Sequence, residues 1–465
     1  MAKIIRRIKK SNMTIPKRKI FSATLALAFL LSFSSSAQAE DFQSQWESSC
    51  MIRQDKLNTV LPNAMRRHNI DMWIVFDHGR GTEPMMLDFG IETAYGQGIY
   101  VFYDGGGDGI ERLCLGGPGS SELSDLCGLY EELKGKGDLR SIVYARDPKR
   151  IALNYLDPYM IGEGIYSADG LSTTDFKFLV RELGEKYAQR FVSAQDLIVD
   201  FRGEHVAGEI IEFAKVADIT RKELERALSN EVITPGKTSA LQVEMWLEER
   251  REALGLGRTW FPGVEFPEPG FRGNQSVSKG KGTGRVIQRG DMLYIDWGLD
   301  RNHFSTDLKR FAYVLKEGEV EAPPAILRAF EEAKKIREII RKNVRSGRTG
   351  REQLDDLKQI IRDAGYVYTE KEQAGDVPGI EVNVGMHGMG NIAHDVAAGL
   401  AEFSPELTKY VIRPNAFLAL EFRIFAPVDE RSGKKILVPI EENVLITERG
   451  LEWVHPPQNR VLLIR

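Results

Sequence analysis

The sequence predicts an α/β domain followed by an α+β domain in which helices cover one side of a curved antiparallel sheet. Between residues 51 and 187, short apolar runs alternate with longer stretches of helical spacing, which is typical of α/β domains. From Glu209 onward, amphipathic helices are separated by apolar strands that carry isolated acidic residues. We therefore expect an N-terminal domain over residues 40–205 and a second domain over residues 206–465.

The elements of the N-terminal domain follow from apolar periodicity between turn residues. We predict helices over Met51–His68 and Thr174–Tyr187, and strands over Met72–Phe76, Ile99–Tyr103 and Ile142–Ala145. The glycine-rich segments at 105–107 and 116–119 indicate turns, because no Gly-Lys-Ser/Thr follows them as in a phosphate-binding loop. This domain shows no residue pattern that predicts chemistry.

Four helices are predicted in the second domain. An apolar stripe from Ile210 to Leu228 indicates the first. Ser239 with Gln242 three residues later resembles a capping box, which would begin a second helix that runs through Leu254. The third and fourth are predicted over Ala325–Asn343 and Arg351–Asp363.

The first 39 residues differ from the rest of the chain. They contain eight basic and no acidic residues, an apolar run at Ile20–Phe33 and small residues that end at Ala39. This order is typical of a cleavable export signal, and a 14-residue run is short for a membrane span. We expect cleavage after Ala39 and a periplasmic or secreted protein; an uncleaved anchor is the alternative.

Loss of this segment would change the formal net charge from −4 to −12, because eight positive charges leave with it. A mature chain with this negative charge would repel nucleic acid and anionic membrane surfaces, which argues against both as partners.

Three cysteines are present, at positions 50, 114 and 127, too few for a disulfide scaffold. In an oxidising compartment, Cys114 and Cys127 could pair and close a short loop, and the sequence leaves that pairing open. Cys50 is expected to be a free thiol.

Five potential metal ligands are found in the last third of the chain: Asp296, Asp307, His387, Glu421 and Glu441. The segments around the two aspartates predict a hairpin with a turn through Leu299 to Phe304, which would place Asp296 opposite Asp307. Carboxylates brought so close together repel unless a cation lies between them. Four carboxylates with one imidazole suit manganese, zinc or cobalt, and predict two divalent ions.

Three of these residues also have an ordinary interpretation. An Asp before Trp-Gly is commonly a turn residue, Asp307 alone fits a surface charge, and Glu441 fits one of two solvated glutamates. An unpaired carboxylate in the apolar segment around Glu421 is harder to explain. The order and the matching strand contexts of the whole set favour a metal site.

The chain resembles the pita-bread metallopeptidases, which include methionine aminopeptidase, aminopeptidase P, prolidase and creatinase. The matching segments are Asp296-Trp-Gly, Asp307-Leu-Lys-Arg, His387-Gly-Met-Gly, His394-Asp395, Glu421 and the run from Glu441 to Thr447. The resemblance spans Glu209 to the C-terminus, and more faintly the preceding domain, which is similar to the creatinase/prolidase N-terminal domain.

The resemblance implies a pita-bread fold and a peptide substrate, cut near its N-terminus by a hydroxide that bridges two metal ions, most simply manganese. It gives Glu421 the roles of ligand and general base, and His394 a role in substrate binding and catalysis. The oligomeric state stays open between a monomer and a homodimer.

Three positions that contact substrate in the family depart from its pattern, and a fourth, Phe422, is a smaller deviation. Lys279, Asn383 and Pro439 stand where aminopeptidase P relatives carry His, His and Arg, and Phe422 follows Glu421 where the family often has Pro. These departures concern residues that contact substrate, so the metal ligands stay complete while the specificity is altered. Lys279 is a candidate substrate-binding residue; the alternative is a solvated loop lysine.

The favoured function is therefore a metallopeptidase of the Xaa-Pro aminopeptidase type. One alternative is a creatinase-like hydrolase that acts on a small amide without metal; another is a pita-bread module that binds peptides without cutting them. Both predict an absence of metal, which elemental analysis would detect.

Overall fold

The computed structural model of the chain describes residues 42–78, 83–89, 98–116, 126–130, 132–134, 138–156, 168–267, 270, 284–375, 377–428 and 434–465. The predicted export signal lies outside these residues. Internal contacts divide the chain into residues 1–47 and 48–465. In the first unit, the described residues begin helix α1 (Phe42–Arg67), with the rings of Phe42 and Trp46 stacked. The features that follow belong to the second unit.

A six-stranded mixed sheet organises the N-terminal part. It consists of β1 (Met72–Asp77), β2 (Gly98–Tyr103), β3 (Glu111–Leu115), β4 (Glu132–Lys134), β5 (Ile151–Leu153) and β6 (Phe191–Ser193), in the order β4-β3-β2-β1-β5-β6. Its helices are α1, α2 (Met86–Phe89), α3 (Leu139–Arg146), α4 (Thr173–Leu183), α5 (Glu185–Ala188) and α6 (Gln195–Arg202). Successive residues of β1 enter different apolar clusters, with Trp73 in one and Ile74 in the other, so both faces are covered.

Most N-terminal elements match the prediction, but the strand predicted at Ile142–Ala145 is wrong. Residues Leu139–Arg146 form α3. The β-branched and aromatic side chains of this segment favour a strand locally. However, Leu139, Ile142 and Val143 recur at helical spacing and are all buried, so tertiary packing determines the helix.

A ten-stranded sheet forms the C-terminal part. Its strands are β8 (Gly263–Glu265), β9 (Met292–Trp297), β12 (Leu308–Val314), β13 (Val367–Tyr368), β14 (Glu381–Met389), β15 (Leu400–Ala401), β16 (Phe417–Pro427), β17 (Lys435–Thr447), β18 (Gly450–Trp453) and β19 (Leu462–Ile464). The main order is β13-β14-β16-β17-β12-β9-β8. β7 (Gly257–Arg258), β10 (Leu299–Arg301) and β11 (Phe304–Ser305) form a separate small sheet. The central pairs are antiparallel, as predicted for this region.

The helices of this part are α7 (Ala207–Ala227), α8 (Ala240–Ala253), α9 (Pro324–Asn343), α10 (Gly350–Asp363) and α11 (Pro405–Thr408). The four long helices match their predictions to within a few residues. The capping box at the start of α8 is confirmed, because the hydroxyl of Ser239 accepts from the Gln242 amide and the Gln242 side chain accepts from the Ser239 amide. The domain boundary predicted at 205/206 falls between α6 and α7 and stays a prediction.

The cysteine pairing differs from the prediction. Cys50 in α1 is bonded to Cys127, with the two Cα atoms 5.3 Å apart, and Cys114 is buried outside this disulfide. The prediction that Cys50 is a free thiol is therefore wrong, and the pairing of Cys114 with Cys127, which the sequence left open, is not the one that forms. Sequence proximity favoured the short loop, but Cys114 lies within β3, where its side chain joins the apolar cluster.

None of the helices in the described ranges is both long enough and apolar enough to cross a membrane.

Candidate metal centre

The hairpin that carries the two aspartates has a different register from the predicted one. Asp296 of β9 lies opposite Lys309 of β12, and Trp297 lies opposite Leu308. The prediction that Asp296 faces Asp307 is therefore wrong by two residues. The connection folds into β10 and β11, which pair with each other, so Asp307 lies immediately before β12. Because strand side chains alternate between faces, Asp307 and Lys309 lie on the same face.

The five predicted ligands nevertheless converge. They lie on or beside the five adjacent strands β14, β16, β17, β12 and β9. Glu421 and Glu441 are direct cross-strand neighbours, and Lys309 is the neighbour of Glu441 on the other side. Within the described part of the chain, three overlapping groups of these side chains have spacings that suit a metal ion, one of which includes His394.

One side of the cluster surrounds the His387 imidazole. Its Nε2 atom lies 3.4 Å from Glu441 Oε1, 3.7 Å from Asp307 Oδ2 and 4.0 Å from Glu421 Oε2. The four residues are buried. Nitrogen and oxygen ligands at about 2.0–2.2 Å from an ion stand about 3–4 Å apart. His387 Nε2 and Glu441 Oε1 have no hydrogen-bond partner among the described residues, so this side fits a divalent ion.

The other side of the cluster surrounds the amine of Lys309, a residue that the sequence analysis did not single out. Lys309 Nζ lies 2.5 Å from Glu441 Oε2, 2.8 Å from Glu421 Oε1 and 3.0 Å from Asp296 Oδ2. Lys309 is buried, with 7% of its side chain exposed. Its position two residues after Asp307 is the sequence signal that places it on the same face, whereas the predicted register sets Asp307 itself opposite Asp296.

Burial and neighbouring charges shift the pKa of each carboxyl group. Burial and then Glu441 raise the pKa of Asp307 well above its usual value. Burial also raises the pKa of Asp296, although Lys309 opposes the change. Burial alone would raise the pKa values of Glu421 and Glu441 as well, but the Lys309 amine lowers both below their usual range. A cation is therefore needed most where Asp307 faces His387.

His394 lies at the mouth of the site. Its ring stacks on the His387 ring with centroids 3.8 Å apart, Nε2 lies 3.5 Å from Asp307 Oδ2, and 60% of the side chain is exposed. The neighbouring Asp395 fixes this loop, because its buried carboxylate accepts from the amides of Asn391 and Val396 and lies 3.4 Å from Arg202 Nε. Stacking on His387 and the loop fixed by Asp395 therefore hold the His394 imidazole in place, and the ring faces a cavity.

That cavity has a volume of about 270 Å³. Its lining combines site residues with four side chains that the sequence analysis did not predict: Trp260, Glu372, Phe403 and Arg423. Arg423 Nη2 donates to Glu421 Oε1 at 2.7 Å, and Arg423 Nη1 lies 3.7 Å from Glu372.

Arg423 lies directly opposite Pro439 in the β16–β17 pair. A guanidinium therefore reaches the cavity from the strand next to the one where the family resemblance places it. Asn383, another predicted departure, is buried in β14 and bonds to the Thr369 carbonyl, with Arg423 Nη1 at 3.5 Å. Lys279 lies outside the described residues, so its role in substrate binding stays a prediction.

A family model described as metallopeptidase family M24 matches residues 212–448 of the chain. The chain belongs to metallopeptidase family M24. It is accordingly a metallopeptidase, a hydrolase that acts on peptides, and the predicted family and enzyme class are confirmed.

Two curated relatives of the chain are Xaa-Pro dipeptidases from Pyrococcus furiosus and Pyrococcus horikoshii. Each is 25% identical to the chain, over 299 and 302 residues; the match covers 63% of this chain and 75% and 74% of the relatives. Among solved structures, X-Pro aminopeptidase from Thermotoga maritima has a TM-score of 0.60 at 18% identity and covers 86% of this chain and 99% of its own. Xaa-Pro dipeptidase from Bacillus anthracis has a TM-score of 0.55 at 16% identity, covering 89% and 99%. These likenesses confirm the predicted pita-bread fold.

Proposed function

We propose that this M24 member is an exported, divalent-metal-dependent peptidase that cleaves the bond between an N-terminal residue and a following proline. The observation that supports it best is the convergence of the five predicted ligands beside one cavity of about 270 Å³. This volume lies just below the ~300–1,000 Å³ typical of small-molecule sites, which suits the end of a peptide. The names of the two Pyrococcus relatives support the proline preference.

For the ion we propose manganese, held on the His387 side by Asp307, His387, Glu421 and Glu441. Three of these ligands are carboxylates and one is an imidazole, a set that suits hard or borderline divalent ions. Such an ion would lower the pKa of bound water and polarise the carbonyl of the scissile bond.

The side chains around the cavity have separate tasks in this proposal. His394 donates a hydrogen bond to the substrate carbonyl from its exposed edge, and its stacking on His387 orients the ring. Trp260 and Phe403 offer apolar surface to the proline ring. Glu372 and Arg423 supply one charge of each sign, suited to the amino and carboxyl ends of a short peptide.

Glu421 is proposed as the residue that takes and returns the proton. Its Oε1 atom accepts hydrogen bonds from Lys309 and Arg423, so this oxygen is committed to two cations. Its Oε2 atom faces His387 at 4.0 Å, so this oxygen would contact the ion with one lone pair and receive the proton with the other.

Cleavage of Xaa-Pro peptides tests this function. We expect the purified mature protein to release the first residue from Xaa-Pro dipeptides or longer Xaa-Pro peptides, and matched Xaa-Ala peptides to be cut more slowly. Removal of the metal with a chelator should lower kcat/KM by more than about 100-fold, since an ion contributes several kcal/mol to such reactions, and added Mn²⁺ should restore it. Full activity in a metal-free preparation, or no preference for proline, would contradict the proposal.

Export is supported by the signal-like first 39 residues and by the disulfide between Cys50 and Cys127. Disulfides persist in oxidising compartments and are rare in the cytosol. We propose a periplasmic or secreted mature protein.

Mass spectrometry of the native protein tests export and oxidation together. We expect an N-terminus at Glu40 and, without reduction, a peptide pair linked through Cys50 and Cys127. The Cys50→Ser variant is the control, because it should lose the linked pair and keep the same N-terminus. An intact Met1 with reduced cysteines on a cytoplasmic protein would contradict the proposal.

A further inference from the structure

The two sides of the ligand cluster are occupied differently by the chain itself. Each of the two glutamates gives one oxygen to each side: Oε1 of Glu441 and Oε2 of Glu421 face His387, whereas Oε2 of Glu441 and Oε1 of Glu421 contact Lys309. This is the arrangement of two carboxylates that bridge two cation positions. One of those positions already contains an amine of the protein.

We infer that the Lys309 ammonium group takes the place of one of the two metal ions, so that this chain binds a single divalent ion on its His387 side. The inference rests on the metal dependence proposed above and determines the composition of the same site. It departs from the two ions that the carboxylate count predicted.

Distance supports the inference first. Lys309 Nζ lies within 3.0 Å of an oxygen from each of Asp296, Glu421 and Glu441. An ion at about 2.0–2.2 Å from the same oxygens would occupy the volume of the amine. The second-ion position is therefore available only if this buried side chain leaves it.

Charge supports the inference independently. Lys309 already brings a buried positive charge within 3.0 Å of oxygens from Asp296, Glu421 and Glu441. A divalent ion among the same three oxygens would add two positive charges directly beside this ammonium group, and like charges so close together in a buried site are costly.

The backbone explains why the amine can reach this place. The register of β9 and β12 sets Lys309 directly opposite Asp296 and, across the other edge of β12, opposite Glu441. Lys309 is thus flanked by ligands on both neighbouring strands. A polar uncharged residue at 309 would leave the three oxygens facing one another, which is the setting that a second ion requires.

Metal titration decides between one ion and two. We expect isothermal titration and elemental analysis with Mn²⁺ alone to give one ion per chain for the wild-type protein and two for Lys309→Ser. Lys435→Ser is the matched control: Lys435 is equally buried on β17 and paired with Glu381 away from the cluster, so this variant should still bind one ion. Two ions in the wild type, none, or an unchanged count in Lys309→Ser would overturn the inference.

A measurement on the wild type alone covers the case in which Lys309→Ser does not fold. We expect the EPR spectrum of the Mn²⁺-saturated protein, freed of excess metal, to be that of an isolated ion. The spectrum of an exchange-coupled pair would overturn the inference. Neither readout depends on peptide cleavage, so a protein that binds one ion but does not cut Xaa-Pro peptides would refute the proposed function alone.

Discussion

Glu441→Gln is expected to abolish measurable peptidase activity while leaving the protein folded. Glu441 contributes Oε1 to the His387 side and Oε2 to Lys309, and 0% of its side chain is exposed. The amide keeps the shape of the side chain but removes the charge from both cation positions. We expect kcat/KM to fall by more than about 100-fold, the upper end of the loss that follows removal of a partner outside the ligand shell, and retained metal to fall with it.

The control for this variant is Glu452→Gln on β18, in the same sheet but with 45% of its side chain exposed. It should keep both activity and metal. Circular dichroism and thermal unfolding should show that Glu441→Gln is folded. If Glu441→Gln had the kinetics of the wild type, Glu441 would have a structural role only, and the prediction would be wrong.

Of the substitutions discussed, Glu442→Leu is expected to lower the free energy of unfolding most, although Glu442 has no proposed contact with the substrate. It follows Glu441 in β17 and points to the opposite face. There its carboxylate lies 3.0 Å from Arg310 and 3.6 Å from Arg337, with at most 3% of each side chain exposed. Burial raises the pKa of Glu442 and lowers that of Arg337. Burial thus disfavours the charged form of each group, and each depends on its partner to compensate that cost.

Removal of one partner from a buried ion pair costs about 3–5 kcal/mol, because the other charge is left uncompensated. Denaturant unfolding of Glu442→Leu should show a loss of this size. The double variant Arg310→Met/Glu442→Leu should lie closer to the wild type but still below it, since replacing a buried pair by apolar side chains is often neutral, whereas Arg337 still loses Glu442 and keeps the Gln458 carbonyl and Asn459 as partners. Asp356→Asn, which breaks the exposed pair with Arg348, should change stability by less than about 1 kcal/mol. If Glu442→Leu were as stable as the wild type, the prediction that Glu442 compensates the charge of the buried arginines would be wrong.

The ordinary interpretation of Glu441 as one of two solvated glutamates is wrong for both residues, because each is buried on its own face of β17. The sequence does identify the five converging side chains, since their spacing reflects the strands that carry them. It does not reveal Lys309, because a hairpin register depends on how the connection folds, and here β10 and β11 shift the pairing by two residues. Buried cations that neutralise such clusters are therefore found only when the register is known.

Two other errors have a similar origin. The segment Ile142–Ala145 has the local preferences of a strand, but the spacing of its buried residues with Leu139 determines a helix. The pairing of Cys50 with Cys127 spans 77 residues, whereas Cys50 is predicted to be a free thiol and the candidate partner of Cys127 is the nearer Cys114. In both cases long-range packing decided the outcome. The long amphipathic helices were predicted well because their signals are local.

The facing pair Arg423 and Pro439 has a consequence for how homologous enzymes are compared. Read along a single strand, position 439 has Pro where the family resemblance implies Arg. Read across the sheet, the guanidinium of Arg423 lies directly opposite that position and lines the cavity. A recognition group that is absent from one strand can therefore be supplied by its neighbour while the pocket keeps a positive charge. A survey that scores each aligned column separately would miss such a cross-strand substitute.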